Sequence, residues 1–365
     1  MSNKLNTDSY KGVRDFYPEE QFIQNYIFSV WRKTVESFGY VEYNASILEP
    51  SEIYKEKSGD EIINEQTFTF IDRGDREVTL RPEMTPTVAR MVAAKRRELG
   101  FPLRWYSIPN LFRYEAPQRG RLREHWQLNI DIFGVKGLEA DIEIIVVAYN
   151  IMKNFGATDL DFEIRLNSNS GDVVELEQVM IGLKYAGITN TKVDKTLKRG
   201  QAYYTGVVFE VFDTDPENTR SLFGGGRYNN LLELFSNDNM PAVGFGAGDV
   251  SIKDFLATHD LLPKHRSTTD LMLVLQGEPT VPAVIEFNNI VKEIIETGVN
   301  VSTDQSNREK GDMYKVAEKQ ALSYICFVTE ESLKNKELIL KNMQSREEFK
   351  IKTNKLDEIR KIVKT

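Results

Sequence analysis

One cysteine, Cys326, and three scattered histidines, His125, His259 and His265, are all the thiol and imidazole groups that the 365 residues carry. A lone cysteine excludes an internal disulfide and a cysteine-based zinc site. Histidines this far apart give no metal-ligand spacing. Cys326 lies in the apolar run SYICFV and reads as core. No stretch approaches the eighteen apolar residues that a membrane span requires. The opening MSNKLNTDSYKGVRDFYPEE has no apolar run of the kind a signal peptide needs, so a cytoplasmic protein is expected. A basic excess is missing too. Lys and Arg number 47 against 55 Asp and Glu, for a net charge of −8. That argues against a body coated for nucleic acid and leaves room only for a local basic surface.

What is present is an ordinary globular composition, 41% hydrophobic and 28% charged, in a chain long enough for two domains. Residues 20–37 have helical spacing. Residues 64–80 read as a hairpin around Gly74-Asp75, and a helix is expected to begin after Pro82 with Thr85-Pro86 near its start. LEADIEIIVVAYNIMKNFG and DVVELEQVMIGLKYAG read as helices, and DFEIRLNSN and AYYTGVVFEVFD as strands. FGGGRYNNLLELF reads as a glycine turn into a helix. PAVGFGAG reads as a strand whose glycines at 244, 246 and 248 clear one face for a close approach. LPKHRSTT breaks the pattern, which places a boundary between domains at 1–262 and 268–365. Beyond it strands and helices alternate, as in a small α/β domain with a partly parallel sheet.

The densest chemistry lies in FRYEAPQRGRLREHWQLNIDIFG, residues 112–134. From Gln127 onward the side chains alternate. Leu128, Ile130 and Ile132 share one face; Gln127, Asn129 and Asp131 share the other. Phe112 to Glu115 alternates in the same way, so the stretch reads as a long hairpin. Its loop is basic, with Arg119, Arg121 and Arg123. Amides and carboxylates on one strand face could fix a small zwitterion, and arginines beside them could grip phosphates through paired charge-assisted bonds. A solvated strand pair with scattered ion pairs would fit the same residues and contribute little.

Taken together, the motifs resemble a class II aminoacyl-tRNA synthetase and, within that class, the histidyl-tRNA synthetases. GVRDFYP, ILEP with Pro50, TLRPEMT, FRYEAPQRGRLREHWQ, RGQAYYTGVVFE, GGGRY and AVGFGAG occur in family order over nearly the whole chain. The resemblance implies an antiparallel six-stranded sheet flanked by helices in an α+β fold. It also implies an anticodon-binding-like C-terminal domain, and a homodimer formed through the ILEP motif. Carried over position by position, Arg113 would hold the α-phosphate and the substrate carboxylate, and Arg199 would act at the reacting carboxylate. Glu115 would accept from the adenine amino group, Arg121 would fold over the terminal phosphates, and His125 would stack on adenine. Glu83, Thr85 and Gln127 would surround the histidine ammonium. Asp131 and Tyr204, with Tyr203 beside them, would read the imidazole, and Gln118 would meet the tRNA end. ATP and Mg2+, tRNA(His) and histidine would be the substrates and cofactors. No residue is assignable as a magnesium ligand.

The chain also departs from the family. Ser251 stands where the third motif ends in an arginine that meets ATP. His125 replaces a stacking aromatic, Asp131 a longer glutamate, Ala202 an aspartate, and Ala116 a loop arginine. Only one short helical segment lies between RLNSNSGD and Arg199, where the family inserts a small helical domain. Two readings follow from the resemblance. One is a compact histidine–tRNA ligase. The other is a non-catalytic paralogue such as the regulatory subunit of ATP phosphoribosyltransferase, which Ser251, Ala202 and the missing insertion favour. The retained arginines oppose that second reading, since a histidine sensor has no phosphate chemistry to support.

Overall fold

The computed structural model describes residues 5–55, 66–199, 203–235 and 239–364. The chain divides into two compact units, Met1–Pro263 and Lys264–Thr365. The first contains strands β1 (Val41–Glu42), β2 (Leu48–Pro50), β3 (Phe68–Ile71), β4 (Glu77–Leu80), β5 (Leu103–Ser107), β6 (Asn110–Phe112), β7 (Glu124–Phe133), β8 (Phe162–Ser168), β9 (Thr191–Val193), β10 (Val207–Asp213), β11 (Ser221–Tyr228) and β12 (Ala242–Gly248). Six of them, in the order β5-β7-β12-β11-β10-β8, form one antiparallel sheet. That is the sheet the resemblance implies. Short parallel strands extend it at both edges, β1 on β5 and β9 on β8. Strand β6 pairs with the start of β7, and β2, β4 and β3 make a small separate sheet.

The alternation in β7 sets which face is which. Leu128, Ile130 and Ile132 are buried in the main core with Trp31 of the helix Pro18–Ser37, Ile144 and Ile151 of the helix Glu139–Asn154, and Phe255 of the helix Asp249–Thr258. These helices cover one face of the sheet. Gln127, Asn129 and Asp131 project from the other. There a second core holds Phe133, Tyr203 and Tyr228 with Val88 of the helix Thr85–Lys95. The hairpin reading of 112–115 needs correction: β6 ends at Phe112, and residues 113–123 form the loop.

The glycine run also differs from its reading. Gly224, Gly225 and Gly226 lie inside β11, not in a turn, and only a short 3-10 helix follows at Leu231–Leu234. The reason is non-local. The run pairs in register with β10 on one side and β12 on the other, Gly225 opposite Phe209 and Phe245. A Cβ at Gly225 would collide with the Gly244 carbonyl, and one at Gly226 would come within 2.6 Å of the Val207 carbonyl. Ala202 lies outside the described residues, as does the start of the 64–80 hairpin.

The second unit contains β13 (Leu271–Leu275), β14 (Val301–Asp304), β15 (Tyr324–Val328), β16 (Glu337–Asn342) and β17 (Glu348–Lys352), in the order β14-β13-β15-β16-β17. The first three are parallel and the last two antiparallel. Every residue of β13 is buried, as expected of a parallel strand covered on both faces. Leu271, Leu273 and Leu275 enter one core, with Cys326; Met272 and Val274 enter another. Burial pushes the Cys326 thiol up to about 12, which makes it inert.

Gly225→Ala is expected to destabilise the first unit by about 3 kcal/mol or more, because backbone and not a movable side chain meets the new methyl. Thermal unfolding measures this; an unchanged transition would show that β11 is not closed in as described.

Candidate active site

Two adjoining hollows open on the polar face of the sheet. The deeper one is lined by Glu83, Thr85, Asn129, Asp131, Tyr203, Tyr204 and Tyr228. The wider one is lined by Glu115, Gln118, Arg121, His125, Arg220 and Ser251, among others. Arg113, Gln127, Arg199 and Gly246 line both. Every site residue expected from the sequence therefore lies in this one region: the residues expected at histidine in the deep hollow, those expected at ATP and at the tRNA end in the wide one.

Glycines make the floor. A Cβ at Gly224 would strike the Arg199 guanidinium, and one at Gly244 the Asp131 carboxylate. At Gly246 it would meet the Gln127 side chain at 2.7 Å. The space that the glycines leave is thus filled by the Arg199, Asp131 and Gln127 side chains, lying against the sheet.

In the deep hollow, the Tyr203 hydroxyl donates to Glu83 Oε2 at 3.0 Å. Glu83 sits just before the helix Thr85–Lys95, where the helix dipole favours a carboxylate. Asp131 is almost fully buried, and its partner is Tyr228, whose hydroxyl donates to Asp131 Oδ1. Sequence reasoning missed Tyr228, having treated GGGRY as a turn; only the pairing of β11 with β12 places it here. Tyr204 does not pair with Asp131 in this structure. Its ring lies 5.5 Å from the Arg199 guanidinium. Burial pushes the Asp131 carboxyl up to about 7, against the lowering effect of the Tyr228 hydrogen bond. Near neutrality both protonation states are populated, so this group can accept from or donate to a ring nitrogen.

At the junction, Arg199 Nη1 lies 3.2 Å from Glu210 Oε1. Arg199 Nε is buried with no hydrogen-bond acceptor among the described residues. Arg113 is oriented by its Nε donating to the Pro82 carbonyl at 2.9 Å. In the wide hollow, Arg121 pairs with Glu115 at 3.1 Å. His125 is partly exposed by area, yet enclosure of its ring, with Arg113 and Arg14 nearby, pushes its pKa down to about 3. It is a neutral flat ring at physiological pH, suited to stacking. Arg123, in the same basic loop, does something else. It stacks on Tyr114 at 3.9 Å and donates to the Tyr10 hydroxyl at 3.0 Å, fastening the loop to the N-terminal segment. Ser251 donates to the carbonyl of Leu222 at 2.6 Å.

Known proteins match this chain. The family model for histidyl-tRNA synthetase matches residues 12–168 and 165–249, and that for an anticodon binding domain matches 279–364. The histidine–tRNA ligase of Leptospira biflexa is 37% identical over 419 aligned residues, covering 95% of each chain. That alignment is longer than this chain of 365 residues, so at least 54 of its positions have no counterpart here. The two stretches of the family match meet at 165–168, the end of β8, where the sequence suggested a missing insertion. The crystal structure of apo Staphylococcus aureus histidyl-tRNA synthetase superposes with a TM-score of 0.85 at 25% identity, covering 97% of this chain and 99% of that one. A Bacillus halodurans structure named as an ATP phosphoribosyltransferase regulatory subunit/histidyl-tRNA synthetase matches at 0.74 and 19% identity, over 90% and 100% of the two chains, and shares the fold.

Asp131 yields a pH test. Its pKa rises from 3.8 to about 7 on folding, so its contribution to stability is fully present below about pH 3.8 and lost as pH rises through about 7. Relative to Asp131→Asn, which keeps an acceptor for Tyr228, the wild-type protein is expected to lose roughly 2 to 3 kcal/mol between about pH 5 and pH 8. Urea unfolding of both proteins at the two pH values measures it. A pH-independent difference would show an ordinary carboxylate at 131.

Proposed function

The chain belongs to the histidyl-tRNA synthetase family, and on that premise we propose how its two hollows work as a histidine–tRNA ligase. The deep hollow takes histidine and the wide one takes ATP. The observation that carries this reading is the junction, where Arg113, Gln127 and Arg199 face both spaces. A group bearing negative charge from each substrate would meet there.

In the first step a histidine carboxylate oxygen attacks the α-phosphorus of ATP. The new O–P bond forms as the α–β bridging bond breaks, and pyrophosphate leaves with the electron pair. Negative charge gathers on the phosphoryl oxygens, and Arg113 and Arg199 would stabilise it. No side-chain nucleophile is needed; positioning does most of the work. Glu83 and Gln127 would take the ammonium, with Thr85 beside them. Asp131, oriented by Tyr228, and Tyr204 would take the two ring nitrogens, with Tyr203 packed against Tyr204. Such a site discriminates against apolar mimics because its buried polar groups would be left unpaired. Glu115 and neutral His125 would hold adenine, and Arg121 would fold over the terminal phosphates. The adenylate then passes its acyl group to the tRNA end, near Gln118.

Magnesium would enter with ATP. Among the described residues no cluster of three or more candidate ligands occurs. A hard cation carried by a triphosphate needs only one or two carboxylates; among those that line the wide hollow, Glu210 would hold it, and the bound cation would offset phosphate charge. We also infer a homodimer through the region around the ILEP motif. Val41, Leu48, Phe70 and Ile71 on β1, β2 and β3 are exposed apolar side chains, which a second copy of the chain would cover. The unit at 264–365 is proposed to bind the anticodon. Among the described residues no helix is long and apolar enough to cross a membrane, and we place the protein in the cytoplasm, where tRNA is charged. The regulatory-subunit reading finds no support in the junction: a histidine sensor would have no use for Arg113 and Arg199 facing a second hollow.

Histidine-dependent exchange of pyrophosphate into ATP, without tRNA, tests the first step. Arg199→Ala is expected to lower it by about a hundredfold or more while calorimetry still detects histidine binding. Near-wild-type exchange in that variant would overturn the role of Arg199.

A further inference from the structure

The charges of the wide hollow do not all cancel. Arg121 is paired with Glu115 at 3.1 Å, Arg119 with Glu217 at 3.3 Å, and Arg199 with Glu210 at 3.2 Å. Arg113 has Glu115 at 4.0 Å. Arg220 also lines this hollow. Its Nη2 donates to the neutral Gln118 amide oxygen at 3.0 Å, and it makes no ion pair among the described residues. It is the cation there whose charge no carboxylate offsets.

Its position matters as much as its charge. Arg220 immediately precedes β11, and two residues further on the Leu222 carbonyl accepts the Ser251 hydroxyl at 2.6 Å. Ser251 spends its only proton on backbone, on that carbonyl and on Gly248 O at 3.2 Å, and has no charge to offer an anion. The helix that begins at Asp249 thus brings no guanidinium at 251 to the hollow, while the strand it is tied to brings one at its mouth. Arg220 is exposed, so its side chain can swing inward without an opening of the core.

We propose that Arg220 binds the polyphosphate of the nucleoside triphosphate, supplying from the β10–β11 connection the cation that position 251 lacks. The proposal rests on the reading of the wide hollow as the ATP site. In the absence of ATP, Gln118 parks the guanidinium; on binding, the phosphates replace the amide oxygen as a charged acceptor, and charge-assisted bonds are about twice as strong as neutral ones.

The test is calorimetric titration of the full chain with magnesium-ATP alone, and in parallel the ATP dependence of histidine-driven pyrophosphate exchange. Arg220→Gln, which keeps a donor for Gln118 and removes the charge, is expected to weaken ATP binding about tenfold and raise the KM for ATP similarly, with histidine affinity and thermal unfolding unchanged. Arg220→Lys, which keeps the charge, should stay within about threefold of wild type. An unchanged ATP affinity in Arg220→Gln overturns the proposal, as does a loss in Arg220→Lys as large as in Arg220→Gln, since that would point to a shape-dependent structural role. A wild-type protein that binds ATP without exchanging pyrophosphate would sink the ligase reading and leave Arg220 to be judged on the binding constants. A protein that binds no ATP would overturn both.

Discussion

Everything in the site depends on a patch of sheet without side chains. Gly224, Gly244 and Gly246 leave the polar face of β11 and β12 bare, and Arg199, Asp131 and Gln127 lie in the space so created. Glycine is costly in a strand, since it loses more backbone entropy than other residues and contributes no packing. Here the cost is offset by neighbours. Strands β10 and β7 flank the patch in full register, and their other faces are held by the main hydrophobic core. The patch is a rigid floor because it sits in the middle of a six-stranded antiparallel sheet, not at an edge. A floor of this kind positions reacting groups to a fraction of an ångström, which is what a reaction dominated by positioning demands.

The electrostatics follow from that floor. A carboxylate lying on bare backbone, under Tyr228, has little water, and burial lifts the Asp131 pKa to about 7. The wide hollow behaves differently. Its carboxylates are offset by arginines, with Glu115 serving two of them. Such pairs are worth little as stabilisers of the fold at exposed positions. Their effect is to keep several guanidinium groups close together in the absence of an anion, at a separation where they would otherwise repel.

How much of this could be read in the sequence depended on the range of the interaction. The β7 alternation is local, and it assigned Gln127, Asn129 and Asp131 to one face correctly because period two needs no knowledge of partners. The alternating glycines of β12 were legible for the same reason. The run Gly224-Gly225-Gly226 was misread as a turn because consecutive glycines carry no period, and only pairing with β10 and β12 shows that they are crowded by backbone. Tyr228 was lost with them. The places of individual arginines divided similarly. That Arg113, Arg121 and Arg199 come together was readable from motif order. That Arg123 instead stacks on Tyr114 and fastens the loop to the N-terminal segment was not, since Tyr10 lies more than a hundred positions away. The fold of the second unit was the easiest part, because strand–helix alternation and a fully apolar β13 are both short-range signals.

The compactness of the chain is consistent with this division of labour. The family match breaks at 165–168, where β8 ends, and resumes at once. Between β8 and β10 the chain needs only to pass from one strand to its antiparallel neighbour. It does so through the helix Val173–Tyr185 and the edge strand β9. Neither contributes a residue to either hollow. Arg199 is delivered by the return of the chain toward β10, and its place is fixed by Glu210 on that strand and by the bare backbone of Gly224. A longer or shorter excursion would leave those two constraints unchanged. The sheet therefore fixes Arg199, through Glu210 and Gly224, whatever the length of the connection that carries it.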